Sequence, residues 1–182
     1  MKSLPSPRSL DTWIGHFSNQ THNYFGRHIE GRPVVYNFNS EGFRGPEFID
    51  ADITVFGSSF SFGVGLEWAD TWHQQMARMT NKTVNVYSIA GYGIENQELI
   101  ELYTRYTPNN QVILQLREET YSTKKYTIPK NILVFKIEEN KKDPRCPTFT
   151  WASFADLAED KKHPGAITHS NWAKILIKIW NL

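Results

Sequence analysis

The chain predicts an α/β fold, a three-layer α/β/α arrangement with a central parallel sheet of about five strands. Three observations predict it. Short apolar, β-branched runs alternate with segments of helical periodicity, the pattern of strands covered by helices on both faces. Several of these runs end abruptly in small residues, as in Gly57-Ser58-Ser59. The polar, glycine-rich peculiarities gather just beyond the runs, where active sites form in parallel sheets.

The elements follow in order. The first fifty residues read as irregular, punctuated by Pro5, Pro7, Gly15, Gly26, Gly31 and Pro33. They are expected to pack on a single domain spanning 1–182. Val34, Tyr36 and Phe38 alternate with other residues and suggest a short strand. Ile53 to Phe56 reads as a buried parallel strand ending at Gly57-Ser58-Ser59. Trp68, Trp72, Met76 and Met79 are spaced for one helix face. Thr83 to Tyr87 is the second strand of the sheet, ending at Ser88-Ile89-Ala90-Gly91. Leu99, Leu102, Tyr103 and Tyr106 form a helical stripe. Val112 to Leu116 and Ile132 to Ile137 are the third and fourth strands, and 148–153 the fifth. Trp172, Ile175, Leu176 and Ile179 make the last helix amphipathic.

Composition narrows the function classes. Hydrophobic residues are 40% and charged residues 21%, the balance of a globular protein and not of a disordered one. The formal net charge is +1, and the Lys124-Lys125, Lys141-Lys142 and Lys161-Lys162 pairs are scattered, so no basic stripe invites nucleic acid. No run of about 18 apolar residues exists to span a membrane. Residues 1–11 lack the apolar core of a signal peptide, which makes a cytoplasmic or virion-associated location the expectation. The lone Cys146 cannot form an internal disulfide. His16, His22, His28 and His73 show no metal-ligand spacing, so neither a metal nor an organic cofactor is expected. Oligomeric state is left open.

Two segments carry chemistry. In Gly57-Ser58-Ser59-Phe60-Ser61-Phe62-Gly63 a serine stands at a sharp strand-to-helix turn. Such a turn exposes Oγ and aims the serine's own N–H at a developing oxyanion. In Asp160-Lys161-Lys162-His163-Pro164-Gly165 a carboxylate precedes an imidazole by three residues, in the loop before the last helix. A serine nucleophile needs a base, and the base needs an orienting carboxylate. Ser59, His163 and Asp160 are the candidates for these roles.

Together these segments resemble the SGNH (GDSL-like) hydrolases, whose fold is of flavodoxin-like type. Val55 to Gly63 looks like the block that carries the nucleophile, with Ser59 in its place. Ser88-Ile89-Ala90-Gly91 looks like the second block, which implies that Gly91 is a backbone oxyanion donor. Asp160-x-x-His163-Pro164 looks like the last block. His169 is also familiar from the family, in a structural role. Asn39-Ser40-Glu41-Gly42-Phe43-Arg44-Gly45 is similar to a segment upstream of the serine in a bacterial and phage branch. The resemblance covers about residues 37–175.

The chain departs from the family's pattern at two places. Ser58 replaces the Asp that precedes the nucleophile. In the third block Arg117-Glu118-Glu119-Thr120 stands where the family has Gly-x-Asn-Asp, so Glu119 lies near the position of an oxyanion-donating Asn. A carboxylate there repels an oxyanion unless protonated or turned away. Arg117 and Arg44 are candidate substitute donors by placement. The resemblance implies a serine esterase acting on small acyl esters, with O-acetyl groups on a glycan favoured. One alternative is a weak or inactive domain that binds glycan or serves as a structural module. Another is an O-acetyltransferase.

Overall fold

The computed structural model describes residues 23–24, 27–28, 34, 36–41, 43–88, 109–117, 132–138, 146–159 and 161–182. Its centre is a five-stranded, wholly parallel sheet built from β3 (Ile53–Gly57), β4 (Val84–Ser88), β5 (Gln111–Arg117), β6 (Leu133–Glu138) and β7 (Thr148–Thr150). The lateral order is β4-β3-β5-β6-β7. Counted within the sheet this is 2-1-3-4-5, the flavodoxin-like doubly wound order, in which ligands bind where the order reverses, here between β3 and β5. Earlier in the chain, β1 (Asn23–Tyr24) and β2 (Arg27–His28) form a separate antiparallel pair.

Both faces of the sheet are buried, and alternation along each strand assigns the residues. Ile53, Val55, Val86, Ile113, Phe135, Ile137 and Phe149 share one face. They pack there with Trp72 and Met76 of α2 (Trp72–Thr80) and with Trp172, Ala173 and Leu176 of α3 (Ala166–Trp180). Phe56, Tyr87, Val112, Leu114 and Leu116 point the other way and meet Phe43 and Ile132, with Phe38 and Phe48 at the margin. Residues two apart along a strand share a face, and these strands are apolar on both, as central parallel strands are. The expected helix through Leu99 and Tyr106 lies outside the described residues. Among the described residues no helix is long and apolar enough to cross a membrane.

Four details differ from the sequence expectation. Among the described residues of 34–38 only Phe38 pairs, as an isolated antiparallel bridge to Arg44. Val34 and Tyr36 are buried against Phe62 and Val64 instead of entering the sheet. The Trp68–Met79 stripe is broken. Trp68–Asp70 is a separate turn of 3-10 helix, α2 starts at Trp72, and Met79 is exposed in its last turn. Strand β7 stops at Thr150, and Trp151–Ser153 is again a 3-10 turn. Finally, α3 is rotated from its expected stripe. Thr168, His169, Trp172, Ala173 and Leu176 are buried, while Ile175 and Ile179 are 43% and 54% exposed. This helix carries apolar residues on two sides, so Trp172 decides its orientation. The indole stacks on Phe149 (5.2 Å) and meets Phe154 (5.8 Å) and Phe60 (6.4 Å) edge-on.

This rotation gives a paired test. Trp172→Ala is expected to cost about 3–5 kcal/mol in urea unfolding, the range for emptying a large buried aromatic site. Ile175→Ala is expected to stay within about 0.5 kcal/mol, as at a surface position. Equal losses at both sites would refute the observed orientation.

Candidate active site

Chain reversal at the end of β3 builds the site. Helix α1 (Ser59–Phe62) begins two residues after the strand, and all four of its residues are buried. Ser59, 4% exposed, is its first residue. Its N–H therefore lies in the first turn, where a helix has no internal acceptor to offer. Among the described residues the Ser59 hydroxyl has no hydrogen-bond partner. Gly57 is required just before this turn, because a Cβ there would overlap Ser61 Oγ.

A buried polar cluster underlies α1. Gln115 of β5, fully buried, turns its side-chain oxygen toward the turn. The Ser58 N–H and the Ser58 hydroxyl each donate to Gln115 Oε1 at 2.9 Å, and the Ser61 hydroxyl donates to it at 3.2 Å. Trp72 Nε1–H donates to Ser61 Oγ at 3.3 Å. His73 Nε2 lies 2.8 Å from the Ser61 carbonyl and must donate to it, which fixes the neutral tautomer with its proton on Nε2.

The C-terminal end of α1 is held by Arg44. Its Nη1 donates to the carbonyls of Phe62 (2.6 Å) and Gly63 (2.7 Å), and its Nη2 to that of Leu66 (2.6 Å). The guanidinium lies over the rings of Tyr36 (4.3 Å), Phe62 (5.3 Å) and Trp68 (5.6 Å). Burial lowers its pKa to about 10, so it remains charged at neutral pH. The expectation that Arg44 serves as an oxyanion or substrate donor is corrected here. At 1% exposure, with its terminal nitrogens bound to backbone carbonyls, it clamps the turn after Ser59. The Asn39–Gly45 segment exists to deliver it. Asn39 Oδ1 accepts from the N–H groups of Glu41 (3.1 Å) and Phe43 (2.9 Å), which curls the chain so that Phe43 and Arg44 both point inward.

The loop bearing Asp160 and His163 is stapled at its base. Leu157 and Pro164 form an antiparallel bridge. Across the loop, the Ala158 N–H donates to the His163 carbonyl at 2.8 Å and the Lys161 N–H to the Ala158 carbonyl at 2.9 Å. The Asp156 carboxylate accepts from the N–H groups of Ile167 (3.0 Å) and Thr168 (2.8 Å), the first turn of α3. An anionic cap there satisfies orphan donors and complements the helix dipole. Gly165 lets that carboxylate in, since a Cβ would overlap it. The loop also reaches α1. The Glu159 N–H donates to the Gly65 carbonyl at 3.2 Å, and the His163 ring packs 5.5 Å from that of Phe60, the residue after Ser59.

Of the sequence-predicted residues, Ser59 and His163 are thus brought to one corner of the molecule. Asp160, Gly91 and Glu119 lie outside the described residues. Arg117 ends β5, and only its place in the strand is described. The sequence reading missed Gln115 and Asp156. A signal for Gln115 was present, as the one amide inside Val112-Ile113-Leu114-Gln115-Leu116. Asp156 carried no signal of its own.

His169 links the two helices under the site. Its Nδ1 accepts the N–H of Trp72 at 2.9 Å, so a residue of α3 caps the first residue of α2. This bond requires an unprotonated Nδ1. Burial first, then repulsion from His73, His163 and Arg44, holds its pKa well below 6.5. Burial likewise pushes His73 down to about 3, with the nearby Arg44 charge acting in the same direction.

No protein-family model matches the chain, and no curated protein matches it in sequence. Among solved structures it is similar to a carbohydrate esterase family 2 enzyme with a carbohydrate-binding domain from Corynascus thermopiles (Myceliophthora fergusii). That match has 16% identity and a TM-score of 0.48, over 76% of this chain and 70% of that one. It is also similar to a member of the lipolytic protein G-D-S-L family from Veillonella parvula DSM 2008, with 13% identity and a TM-score of 0.45, over 71% and 97%. A lipase from a goat rumen metagenome matches at 14% identity and a TM-score of 0.46, over 69% and 95%. At such identities and scores the likeness assigns neither chemistry nor substrate to this chain.

The two buried neutral histidines make stability depend on pH. Unfolded imidazoles take up protons near pH 6.5, whereas folded His73 resists until about 3 and folded His169 until well below 6.5. The unfolded state therefore binds more protons across that window, and stability falls as pH drops from about 6.5 toward about 3. Urea unfolding at stepped pH is expected to show this slope, and His169→Gln to make it shallower between about pH 6.5 and 5. The same slope in the variant would show that His169 is not buried neutral.

Proposed function

We propose that the chain is a serine esterase that hydrolyses small acyl esters, with O-acetyl groups on carbohydrate as the substrate class. The observation that carries this reading is the meeting of two separate devices. A serine heads a short helix at the carboxyl end of the interior strand β3. A stapled loop lays the His163 ring on the residue beside it.

In the proposed reaction His163 takes the proton of the Ser59 hydroxyl as Oγ attacks the ester carbonyl. The tetrahedral intermediate collapses, and the alcohol leaves with the proton held by His163. Water then attacks the acyl-serine with His163 again as base, releasing the acid and restoring Ser59. Asp160 holds the imidazole tautomer and stabilises the imidazolium. The Ser59 N–H, and on the resemblance that of Gly91, receive the oxyanion. With Arg44 committed to backbone carbonyls, Arg117 is the remaining cationic candidate beside Glu119. O-acetyl carbohydrate as substrate rests on the motif resemblance and on an aromatic content of 14%.

One observation favours a second reading, a glycan-binding or structural module with little turnover. The commitment of Arg44 removes one of the two substitutes for the absent Asn donor, and a lost donor of this kind costs roughly 10²–10³ in rate. An acetyltransferase would run the same first half-reaction with a second alcohol in place of water.

Hydrolysis of p-nitrophenyl acetate by the wild type and Ser59→Ala decides between these readings. The wild type is expected to turn over and to be labelled at Ser59 by a fluorophosphonate. Ser59→Ala is expected to lose activity by several orders of magnitude. Equal inertness of both proteins, with no label on either, would remove the esterase reading and leave the binding module.

A further inference from the structure

We propose that Gln115 is the positioning residue for the nucleophile: its side-chain oxygen fixes the β3–α1 turn so that the Ser59 hydroxyl is presented to His163. The kinetic part of this inference rests on the esterase reading; the structural part does not.

The sheet order puts Gln115 where it can act. β3 and β5 are neighbours, in register from Ile53↔Gln111 to Phe56↔Leu114, and the order reverses between them. Gln115 is the next residue along β5, level with Gly57, and points to the face that carries Ile113 and α2. A fully buried amide is tolerated only when it is hydrogen-bonded. Among the described residues its bonds serve the turn or the strand beneath it. Nε2 donates to the Leu116 carbonyl at 3.1 Å, and Oε1 accepts from Ser58 and Ser61. The amide's orientation is settled by the Ser58 N–H, which can only donate.

These bonds bracket Ser59 on both sides. Ser58 precedes α1 at the N-cap position, yet its side chain makes no capping bond and turns down to Gln115 instead. Its N–H and Oγ are held by Gln115, while its carbonyl accepts from the N–H groups of Ser61 and Phe62, both at 2.9 Å. Ser61, two residues past the nucleophile, is held by the same oxygen and by Trp72 of α2. Gly57 leaves the space that Ser61 Oγ fills. Ser59 thus stands between two residues pinned to one acceptor, while its own hydroxyl is uncommitted among the described residues. A side chain that only satisfied itself would not need both flanks of a single residue.

The test compares the wild type with Gln115→Met, which keeps the bulk and loses the acceptor, and with Gln115→Glu. Burial raises the pKa of the carboxyl introduced by the second substitution, which then stays protonated and offers one acceptor oxygen and one donor, as the amide does. Hydrogen–deuterium exchange of the peptide covering 57–63 reads the turn without reference to activity. Hydrolysis of p-nitrophenyl acetate and the rate of fluorophosphonate labelling read Ser59. Gln115→Met is expected to speed exchange in 57–63 while leaving α3 unchanged. Its kcat and labelling rate are expected to fall roughly 10- to 100-fold, the scale of a small misplacement, with KM within about twofold. Gln115→Glu is expected to restore most of each. Wild-type exchange in Gln115→Met overturns the proposal whatever the activity. Faster exchange with wild-type kcat overturns it as well, since the turn would then move without consequence for Ser59. A wild type that neither hydrolyses nor labels sinks the esterase reading and with it the presentation of Ser59, and exchange then shows only whether Gln115 holds the turn. If Gln115→Met does not fold, Ser58→Ala removes one of the three bonds, and full activity there overturns the proposal.

Discussion

A chain that leaves a buried parallel strand and turns at once into a helix carries its backbone polar groups through an interior without water, and each must find a partner there. This constraint organises the segment that follows β3 at the carboxyl end of the sheet. The Ser58 N–H goes to Gln115, the Ser61 carbonyl to His73, and the carbonyls of Phe62, Gly63 and Leu66 to Arg44. The Gly65 N–H donates to the Tyr36 hydroxyl at 2.8 Å, and the Gly65 carbonyl accepts from Glu159. A four-residue helix has no stability of its own. What keeps α1 in place is that strand β5, helix α2, the Asn39–Gly45 segment and the loop before α3 each supply a partner. The position of Ser59 is therefore a property of the fold as a whole.

The same logic explains two buried histidines that take no part in the proposed chemistry. His73 is needed as a donor to the Ser61 carbonyl and His169 as an acceptor for the Trp72 N–H. A neutral imidazole offers one of each, with its tautomer chosen by the partner. Protonation would turn the His169 acceptor into a donor facing a donor, so the bond needs the neutral ring that burial favours. His163, by contrast, sits in the loop and is only half-buried. Among the described histidines, His73 and His169 are thus fully enclosed, while His163 is partly exposed in the loop before α3.

How far these arrangements were legible from the sequence depended on whether one residue had one plausible neighbour. The sheet was legible because Ile53-Thr54-Val55-Phe56 and Val112-Ile113-Leu114 are apolar on both faces, which fits few surroundings besides a parallel sheet covered twice. The rotation of α3 was not, because Ile175 and Ile179 compete with Trp172 for the inner side and only the rings of Phe149 and Phe154 settle the contest. The alternation of Val34, Tyr36 and Phe38 resembles a strand, yet the same spacing serves side chains that pack on Phe62. Ser59 and His163 were singled out by the two motifs and their order, and the His163 ring lies against Phe60, the residue after Ser59. Arg44 was legible as important and misassigned in role, since a guanidinium near a serine suits an anionic substrate and a row of backbone carbonyls equally well. Only the geometry at the C-terminal end of α1 separates the two. Gln115 was visible as a polar interruption, but its partners come from a turn that pairs with it only once β3 and β5 are neighbours.

The donors already committed bound what is left for chemistry. Arg44 Nη1 and Nη2 and the Gln115 amide bond to backbone and serine groups, so both side chains are held by the fold beneath the site. In the proposed reaction the oxyanion is received by backbone N–H groups, of which that of Ser59 lies in the first turn of α1 and is held rigidly by it. Rigid backbone donors work only when the turn that bears them does not shift as charge develops. The extent to which α1 is tied down is thus the feature that a site with few side-chain donors would need most. In this reading a substitution that loosened the turn would weaken nucleophile and oxyanion hole together, because Ser59 supplies both the attacking oxygen and the first N–H.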